Sequence, residues 1–370
     1  MIRSLSFVSL RNLQEGRFEF SDGVTVVCGK NGTGKTTLLE AIHVLCEGFS
    51  FRAHNLSELI GWNSPEMILR GVLAESSDSG NVSERALSIS GTRGVVAKKD
   101  GSPCRGAGAF FGTIPAVIMQ PADMEMVRGA PEIRRRFLDE LLCFRSVRNA
   151  DLLRRYRRVL AERNQWLRQN KSGEAVGGEE LFSVLTGQLV ELAVSVWRER
   201  LELVREISPS ICGYYAMLDG KNDDISVAYK SSVADSDASE ESLRKAFVEK
   251  LESLDFAERM QGISLAGPHK DDLKLSIHGH DMRTSGSQGQ CRSASISLRL
   301  AASDLADAHL VKPVLLLDDI FAELDRNRRA AVAEVIREKK CQVFVATPRA
   351  EDLPFSSDAK IEMGVIISPG

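Results

Sequence analysis

Eight consecutive residues, Gly29-Lys30-Asn31-Gly32-Thr33-Gly34-Lys35-Thr36, constrain this chain more than any others. They complete the pattern G-x-x-x-x-G-K-[ST], and the flanks are those the pattern requires. Val24 to Cys28 is a short apolar run bounded by Gly23 and Gly29, which predicts a buried strand. Thr37-Leu38-Leu39-Glu40-Ala41-Ile42 predicts a helix immediately afterwards. A strand, a glycine-rich loop and a helix N-terminus together make an anion cradle. The glycines let backbone amides turn inward, and the first helical turn adds partial positive charge. Lys35 is placed to reach the β- and γ-phosphates of ATP and Thr36 to hold Mg²⁺, with Gly29 through Thr37 as the nucleotide-binding stretch.

A second acidic element lies far downstream. Val314-Leu315-Leu316-Leu317-Asp318-Asp319 is an apolar run ending in two carboxylates. A buried parallel strand that ends beside the phosphate loop would deliver both acids there. Asp318 is expected to share Mg²⁺ with Thr36, directly or through water. Asp319 is expected to orient or deprotonate the attacking water. Ser287-Gln288-Gly289-Gln290 precedes a helical run from Ser293 to Leu310, and Gln290 stands 24 residues before Val314. A serine at a helix N-terminus can face a γ-phosphate, although a Ser/Gly/Gln-rich turn also starts ordinary helices.

Between these motifs the periodicity changes. Val95 to Ala97 followed by Lys98-Lys99-Asp100-Gly101 predicts a strand entering a hairpin turn. Pro131 can open a helix. Leu153, Tyr156, Leu160 and Leu167 share one helical face. Phe182, Leu185, Leu189, Leu192, Val196, Leu203 and Ile207 form a second stripe, which Pro209 is expected to stop. The glycine-rich segment between them, residues 171 to 178, predicts a turn joining an antiparallel helix pair. Residues 231 to 237 are polar and predict a surface loop. The layout is α/β: an ATPase domain in two lobes, 1–120 and 262–370, split by a mostly helical, lid-like insertion, 121–261.

The 370 residues suit two domains, and 43% hydrophobic with 27% charged residues is ordinary globular composition. A net charge of −3 provides no global basic field, so contact with nucleic acid must come from local clusters. The seven cysteines show no C-x-x-C spacing, which argues against a zinc site and suits a reducing cytoplasm. His278 and His280 flank Gly279 with too few ligands for a metal. No secretory signal or membrane span is expected from the apolar runs.

These motifs and their order resemble the ABC-type ATPases, and more narrowly the RecF family. The resemblance rests on five stretches. They are Gln120-Pro121-Ala122-Asp123-Met124 with Arg134-Arg135-Arg136-Phe137-Leu138-Asp139, then Gly267-Pro268-His269-Lys270-Asp271-Asp272-Leu273, then Ser287-Gln288-Gly289-Gln290, and Leu317-Asp318-Asp319-Ile320-Phe321-Ala322-Glu323-Leu324-Asp325. It covers residues 1 to about 347. It implies that Ser287 through Gln290 cap the nucleotide of a partner subunit, that Asp325 lies along the dimer seam, and that Gln120 senses Mg²⁺ and water. Asp319 stands where transporter-type relatives usually carry glutamate, which implies slow hydrolysis. After Val343-Phe344-Val345 stand Ala346 and Thr347, with no histidine at the switch position. The resemblance further implies an ATP-dependent homodimer on gapped or junction DNA. It implies support of recombinase loading in gap repair and the SOS response, and partners of the RecR and RecO type.

Candidate DNA contacts come from the residues themselves. The predicted helix from Val147 to Lys171 carries Arg148, Arg154, Arg155, Arg157, Arg158, Arg163 and Arg168 opposite its apolar stripe. Such a ridge is either a phosphate-binding face or a solvated face paired with nearby acids. Lys98, Lys99 and Arg105 form a second basic cluster on the hairpin, and Arg52 is a candidate for nucleotide or DNA. The main alternative, a structural DNA clamp of the SMC type, normally separates the two nucleotide motifs by long heptad arms. Here Lys35 and Asp318 are 318 − 35 = 283 residues apart with no such array.

Overall fold

A computed structural model describes residues 1–74, 82–110, 114–172, 178–219, 224–233 and 238–363. In chain order the elements are β1 (Ile2–Leu10), β2 (Leu13–Glu19), β3 (Val24–Cys28), α1 (Lys35–Glu47), β4 (Glu66–Ala74), β5 (Val82–Ser90), β6 (Gly94–Lys99), β7 (Ser102–Cys104) and β8 (Ala116–Met119). There follow α2 (Glu125–Arg128), α3 (Pro131–Arg145), α4 (Val147–Ser172), α5 (Gly178–Asp219), β9 (Ile225–Lys230), α6 (Glu240–Gln261), β10 (Asp272–Ile277), β11 (His280–Asp281) and α7 (Met282–Ser285). The chain closes with α8 (Gln288–His309), β12 (Val314–Asp318), α9 (Arg326–Lys339), β13 (Val343–Thr347) and β14 (Ala359–Glu362).

The chain forms two compact units. The first comprises Met1–Asp123, Met217–Gly220 and Ile296–Gly370; the second comprises Met124–Ala216 and Lys221–Ser295. The expected return to the first lobe at residue 262 therefore lies inside the second unit. Strand pairing is the reason: β10 pairs antiparallel with β9, so the segment after residue 262 is tied to the insertion.

The first unit holds two sheets. One is six-stranded and antiparallel, in the order β2-β1-β4-β5-β6-β7; the other is five-stranded and parallel, in the order β14-β3-β13-β12-β8. Met67, Leu69 and Leu73 of β4 turn inward at the two-residue spacing of a half-buried strand, whereas β1 buries Ile2, Leu5, Phe7 and Leu10, its alternation broken by a bulge between Ile2 and Ser4 and by Ser9 at φ 55°. Strands β12 and β13 are buried on both faces, which explains their uninterrupted apolar runs, while the edge strand β14 is only half-buried. Helix α1 packs against strands of both sheets, and its apolar residues join one core with them. The Asp100-Gly101 turn between β6 and β7 has positive φ at both residues, 51° and 76°, as an Asp-Gly hairpin turn requires.

Among the described residues the second unit holds α3, α4, α6, α5 up to Ala216, and the three-stranded sheet β11-β10-β9. Pro131 opens α3 at its first turn. The stripe from Phe182 to Ile207 is buried throughout. Pro209 does not stop α5, which continues to Asp219. A proline inside a helix loses one hydrogen bond and is tolerated where packing outweighs that loss. Here Ile211, Tyr215 and Leu218 carry the buried stripe onward beyond it. Helix α5 is long and apolar enough to cross a bilayer by length and composition alone, and half of its most apolar stretch is buried within the protein. Residues 173–177, in the expected turn, and 234–237, in the expected loop, lie outside the described residues.

Two of the family-like stretches tie the second unit together. Arg134 of α3 donates to both carboxylate oxygens of Asp272, at 2.6 and 2.9 Å. Asp271 accepts from the Trp197 indole at 2.5 Å and the Tyr229 hydroxyl at 2.6 Å. Burial raises the Asp271 pKa, against those hydrogen bonds. Asp139 accepts from the buried Arg200 at 2.7 Å. Gly267 has φ 131°, and a Cβ there would stand 2.9 Å from the Tyr156 hydroxyl, so only glycine fits.

Candidate nucleotide site

The described strands of the parallel sheet run the same way, so their C-terminal ends share one edge. Leu317 stands beside Met119, Asp318 beside Ala346, and Thr347 beside Cys28. The phosphate loop leaves this edge directly after Cys28, and the Asp318-Asp319 pair ends β12 at the same edge. Ligands of open parallel sheets bind outside the carboxyl ends of the strands, and here that edge carries the loop and the acids together.

The loop adopts the backbone its glycines permit. Gly29, Gly32 and Gly34 have φ of 152°, 83° and 100°. At Gly34 a Cβ would also lie 2.5 Å from a methyl of Leu13. Gly34 precedes α1 with no side-chain cap, and no acid sits in the first turn, so the helix's leading amides are left for an anion. Lys35 is almost buried. Its ammonium donates to the Gly29 and Lys30 carbonyls at 2.9 and 3.3 Å, so the charge is held over the loop. Thr33 closes the loop by donating to the Lys30 carbonyl at 2.9 Å.

The Thr36 hydroxyl donates to Asp318 Oδ1 at 3.0 Å, which joins the two elements that the sequence places 282 residues apart. Burial raises the Asp318 carboxyl pKa, opposed by the Thr36 hydrogen bond. Asp319 is held in the left-handed region, φ 52°, at the start of a short 3₁₀ turn. Its pKa is also raised by burial, opposed by the nearby Lys35. Its Oδ1 is buried with no protein hydrogen-bond partner. Buried polar atoms are normally satisfied, so this one calls for a water or ligand. The donor set fits Mg²⁺: one hydroxyl and one carboxylate on adjoining elements, leaving positions for water and phosphate oxygen. Among the described residues no cluster of three His, Cys, Asp or Glu could hold a metal alone.

Thr36, Lys35 and Asp319 open onto a cleft of about 440 Å³. Its other walls include Arg11, Asn12, Arg52 and Trp62, none of which sequence reasoning assigned to the site except Arg52. Asn12 holds the loop from outside: it donates to the Gly32 carbonyl at 3.0 Å and accepts from the Thr37 hydroxyl at 3.0 Å. Arg11 binds both carboxylate oxygens of the fully buried Glu40, at 2.6 and 2.7 Å, and Arg52 approaches the same carboxylate at 3.5 Å. The sequence signal read for this wall was Arg52; Arg11 and Asn12, adjacent in the β1–β2 turn, carry no motif of their own.

The remaining site candidates stand outside that cleft. Gln120 directly follows β8, the strand beside β12, and its backbone amide donates to Asp123, which Arg299 holds at 2.8 Å. Asp325 caps α9 by accepting from the amides of Asn327 and Arg328 at 3.0 Å. Those donors hold its carboxyl below the usual range. Ser287 and Gln290 form a reciprocal capping box at the start of α8. The Ser287 hydroxyl accepts from the Gln290 amide at 3.2 Å, and the Gln290 side chain accepts from the Ser287 amide at 2.9 Å.

Of the expected arginine ridge on α4, Arg154, Arg155, Arg157 and Arg158 are exposed. Three are paired, with Asp151, Asp139 and Glu162. Arg163 does not belong to the ridge. It is buried against the equally buried Glu258 at 2.7 Å and stacks on Phe182, because it lies on the apolar stripe's side of the helix. Lys98 is exposed and Lys99 half-buried, both on β6.

The fold and this site define an ABC-type ATPase head, split by a mostly helical second unit. Residues 4–95 match the family model described as an AAA domain. The chain belongs to the RecF family of DNA replication and repair proteins. It is 33% identical to the RecF of Geobacter metallireducens over 94% of this chain and 92% of that protein. It is 35% identical to that of Chloroherpeton thalassium over 98% of each. A solved structure of the recombination mediator protein RecF with ATP, in the RecFOR pathway, superposes with TM-score 0.88 at 26% identity, covering 98% of this chain and 95% of that one. The Smc head domain of Pyrococcus furiosus shares the fold, with TM-score 0.58 at 15% identity over 98% and 92%.

Proposed function

We propose that this chain is an ATP-switched DNA-binding protein of gap repair. ATP binds over Gly29 to Thr37 of one subunit and is closed by Ser287, Gln288, Gly289 and Gln290 of a second copy. Two heads then clasp DNA until slow hydrolysis reopens them. The observation that carries this reading is the Thr36–Asp318 contact beside the orphaned oxygen of Asp319. Mg²⁺ held by Thr36 and Asp318 would neutralise charge on the phosphate oxygens. Lys35 binds the β- and γ-phosphates. Asp319, whose raised pKa suits a group that accepts a proton, orients the attacking water, with Gln120 assisting from the neighbouring strand. Asp325 lies along the seam between the copies. ATP acts chiefly as a switch, by favouring the closed state.

The family membership supports a repair role, and the ATP-bound relative supports ATP as the nucleotide. On the same grounds we assign gapped or junction DNA as target, DNA-stimulated weak turnover, recombinase loading and the SOS response as context, partners of the RecR and RecO type, and the cytoplasm as location. Sedimentation of the purified chain with and without ATP and gapped duplex tests the central claim. The expected result is a dimer only with ATP, stabilised by gapped DNA. A chain that stays monomeric with ATP yet binds DNA normally would overturn it.

Asp319→Asn keeps the shape and removes the base. It is expected to leave ATP binding intact, cut phosphate release at least tenfold, and prolong the dimer's lifetime; rapid phosphate release from the variant would remove Asp319 from catalysis. The α4 ridge is testable separately. Exposed ion pairs contribute little, about 0–1 kcal/mol each, so Arg154, Arg157 and Arg158 can exchange their acids for phosphates, with Arg155 beside them. Replacing all four by alanine is expected to weaken gapped-duplex binding and flatten its salt dependence. The slope of log K against log salt should fall by roughly three to four. An unchanged slope would move the DNA surface elsewhere, with Lys98 and Lys99 the next residues to replace.

A further inference from the structure

Trp62 is 94% exposed, whereas the two other tryptophans, Trp166 and Trp197, are 3% and 0% exposed. A large aromatic ring left in water forgoes the burial its type usually finds. The ring is nevertheless carried on a fixed backbone. Gly61 donates its amide to the Ser9 carbonyl at 2.8 Å, the Arg11 amide donates to the Leu59 carbonyl at 2.8 Å, and Leu10 bridges Ile60. Ser64 then closes a turn onto the Gly61 carbonyl at 3.0 Å. A Cβ on Gly61 would come within 3.2 Å of the Ser9 and Arg11 carbonyl oxygens, so this segment lies close against the β1–β2 turn. That same β1–β2 turn supplies Arg11 and Asn12 to the cleft. Trp62 is thus an exposed ring on an anchored mount, and it walls the cleft that the phosphate loop opens into.

We infer that Trp62 is the stacking platform for the base of the bound nucleoside triphosphate. The loop grips phosphates, which every triphosphate shares. A flat base extending from them needs an aromatic or apolar face, and among the cleft's walls Trp62 is the aromatic one. Stacking on a ring carried by an anchored backbone is indifferent to which edge of the base is presented. Trp62 therefore contributes affinity for a nucleotide over inorganic polyphosphate. This inference rests on the nucleotide reading above.

The protein carries its own probe, because the other two tryptophans are buried and Trp62 dominates the solvent-exposed emission. ATP and inorganic tripolyphosphate are titrated into the full chain at a concentration where it is monomeric, with binding followed by calorimetry and by tryptophan emission. ATP is expected to quench the exposed emission; tripolyphosphate is expected to bind without doing so. Trp62→Ala should weaken ATP roughly tenfold and leave tripolyphosphate unchanged, while Trp62→Phe should recover most of the affinity. The exposure of the side chain makes both variants compatible with folding. ATP binding of equal affinity in wild type and Trp62→Ala, with unquenched emission, overturns the inference and leaves the nucleotide reading standing. A change in emission seen only at concentrations where dimers form assigns Trp62 to the interface between copies instead, and also overturns it. Failure of ATP to bind the wild-type chain at all sinks the nucleotide reading itself.

Discussion

Lys35→Ala is expected to weaken ATP binding by at least about a hundredfold and to abolish ATP-driven dimerisation. The ammonium sits at the centre of the loop, held by the Gly29 and Lys30 carbonyls at 2.9 and 3.3 Å. Without it the loop itself would oppose the carboxylates of Asp318 and Asp319 with backbone amides alone. A hydrogen bond to a charged group contributes about 1.5–3 kcal/mol, and the lysine can make two with phosphate oxygens. Their sum corresponds to a loss between roughly 10² and 10⁴ in affinity. The fold should survive, because the side chain bonds only to carbonyls of its own loop. Calorimetric titration with ATP measures the first effect, and sedimentation with ATP the second. Wild-type affinity in the variant would remove the loop lysine from nucleotide binding.

Arg85→Ala is expected to destabilise the first unit by about 3–5 kcal/mol, the largest loss of any single side chain considered. Arg85 points inward from β5 and is fully buried. Its guanidinium donates to the carbonyls of Leu45, Cys46 and Phe110, and it lies over the Phe110 ring at 5.2 Å. Two of those carbonyls belong to the last turn of α1, where a cation meets the negative end of the helix dipole. Desolvation lowers the Arg85 pKa, opposed by the neighbouring Cys46, Glu47 and Asp100. Alanine would leave three carbonyls without this donor and a hole between the antiparallel sheet and the helix that carries the phosphate loop. Urea unfolding, followed by a probe in the first unit, should show the midpoint falling by roughly 1–2 M with little change in slope. A midpoint within experimental scatter of wild type would mean that water satisfies those carbonyls at no cost.

These two residues differ in how far they could be read from the chain alone. Lys35 belongs to an eight-residue motif whose chemistry is local: glycine conformations, one cation and one hydroxyl, all set by neighbours in sequence. Asp318 and Asp319 were legible for a related reason, since an apolar run ending in two acids can be a buried parallel strand delivering them to one edge. The buried stripe of α5 was equally legible, because helical periodicity is a property of the segment itself. Its continuation past Pro209 was not, because packing of Ile211, Tyr215 and Leu218 outweighs the one hydrogen bond lost. Arg163 was misplaced on the exposed ridge although its spacing, seven residues after Tyr156 and four before Leu167, puts it on the apolar stripe; the partner that lets a charge be buried there, Glu258, stands 95 residues away. Trp62 escaped notice because a lone tryptophan after a glycine carries no pattern.

By itself, then, the order of residues determined that a strand, a glycine loop and a helix would make an anion cradle. It also determined that two acids would follow a second buried strand, and that a helical segment would interrupt the α/β pattern. These follow from short-range backbone preferences and hydrophobic periodicity, which need only a window of neighbours. Tertiary structure alone decided that Arg85 would cap α1 and that Trp62 would stand in water on the wall of the cleft. It also decided that strand pairing would draw residues 262 to 295 into the second unit. Those outcomes depend on contacts between segments far apart in the chain, which form only when whole sheets and helices pack.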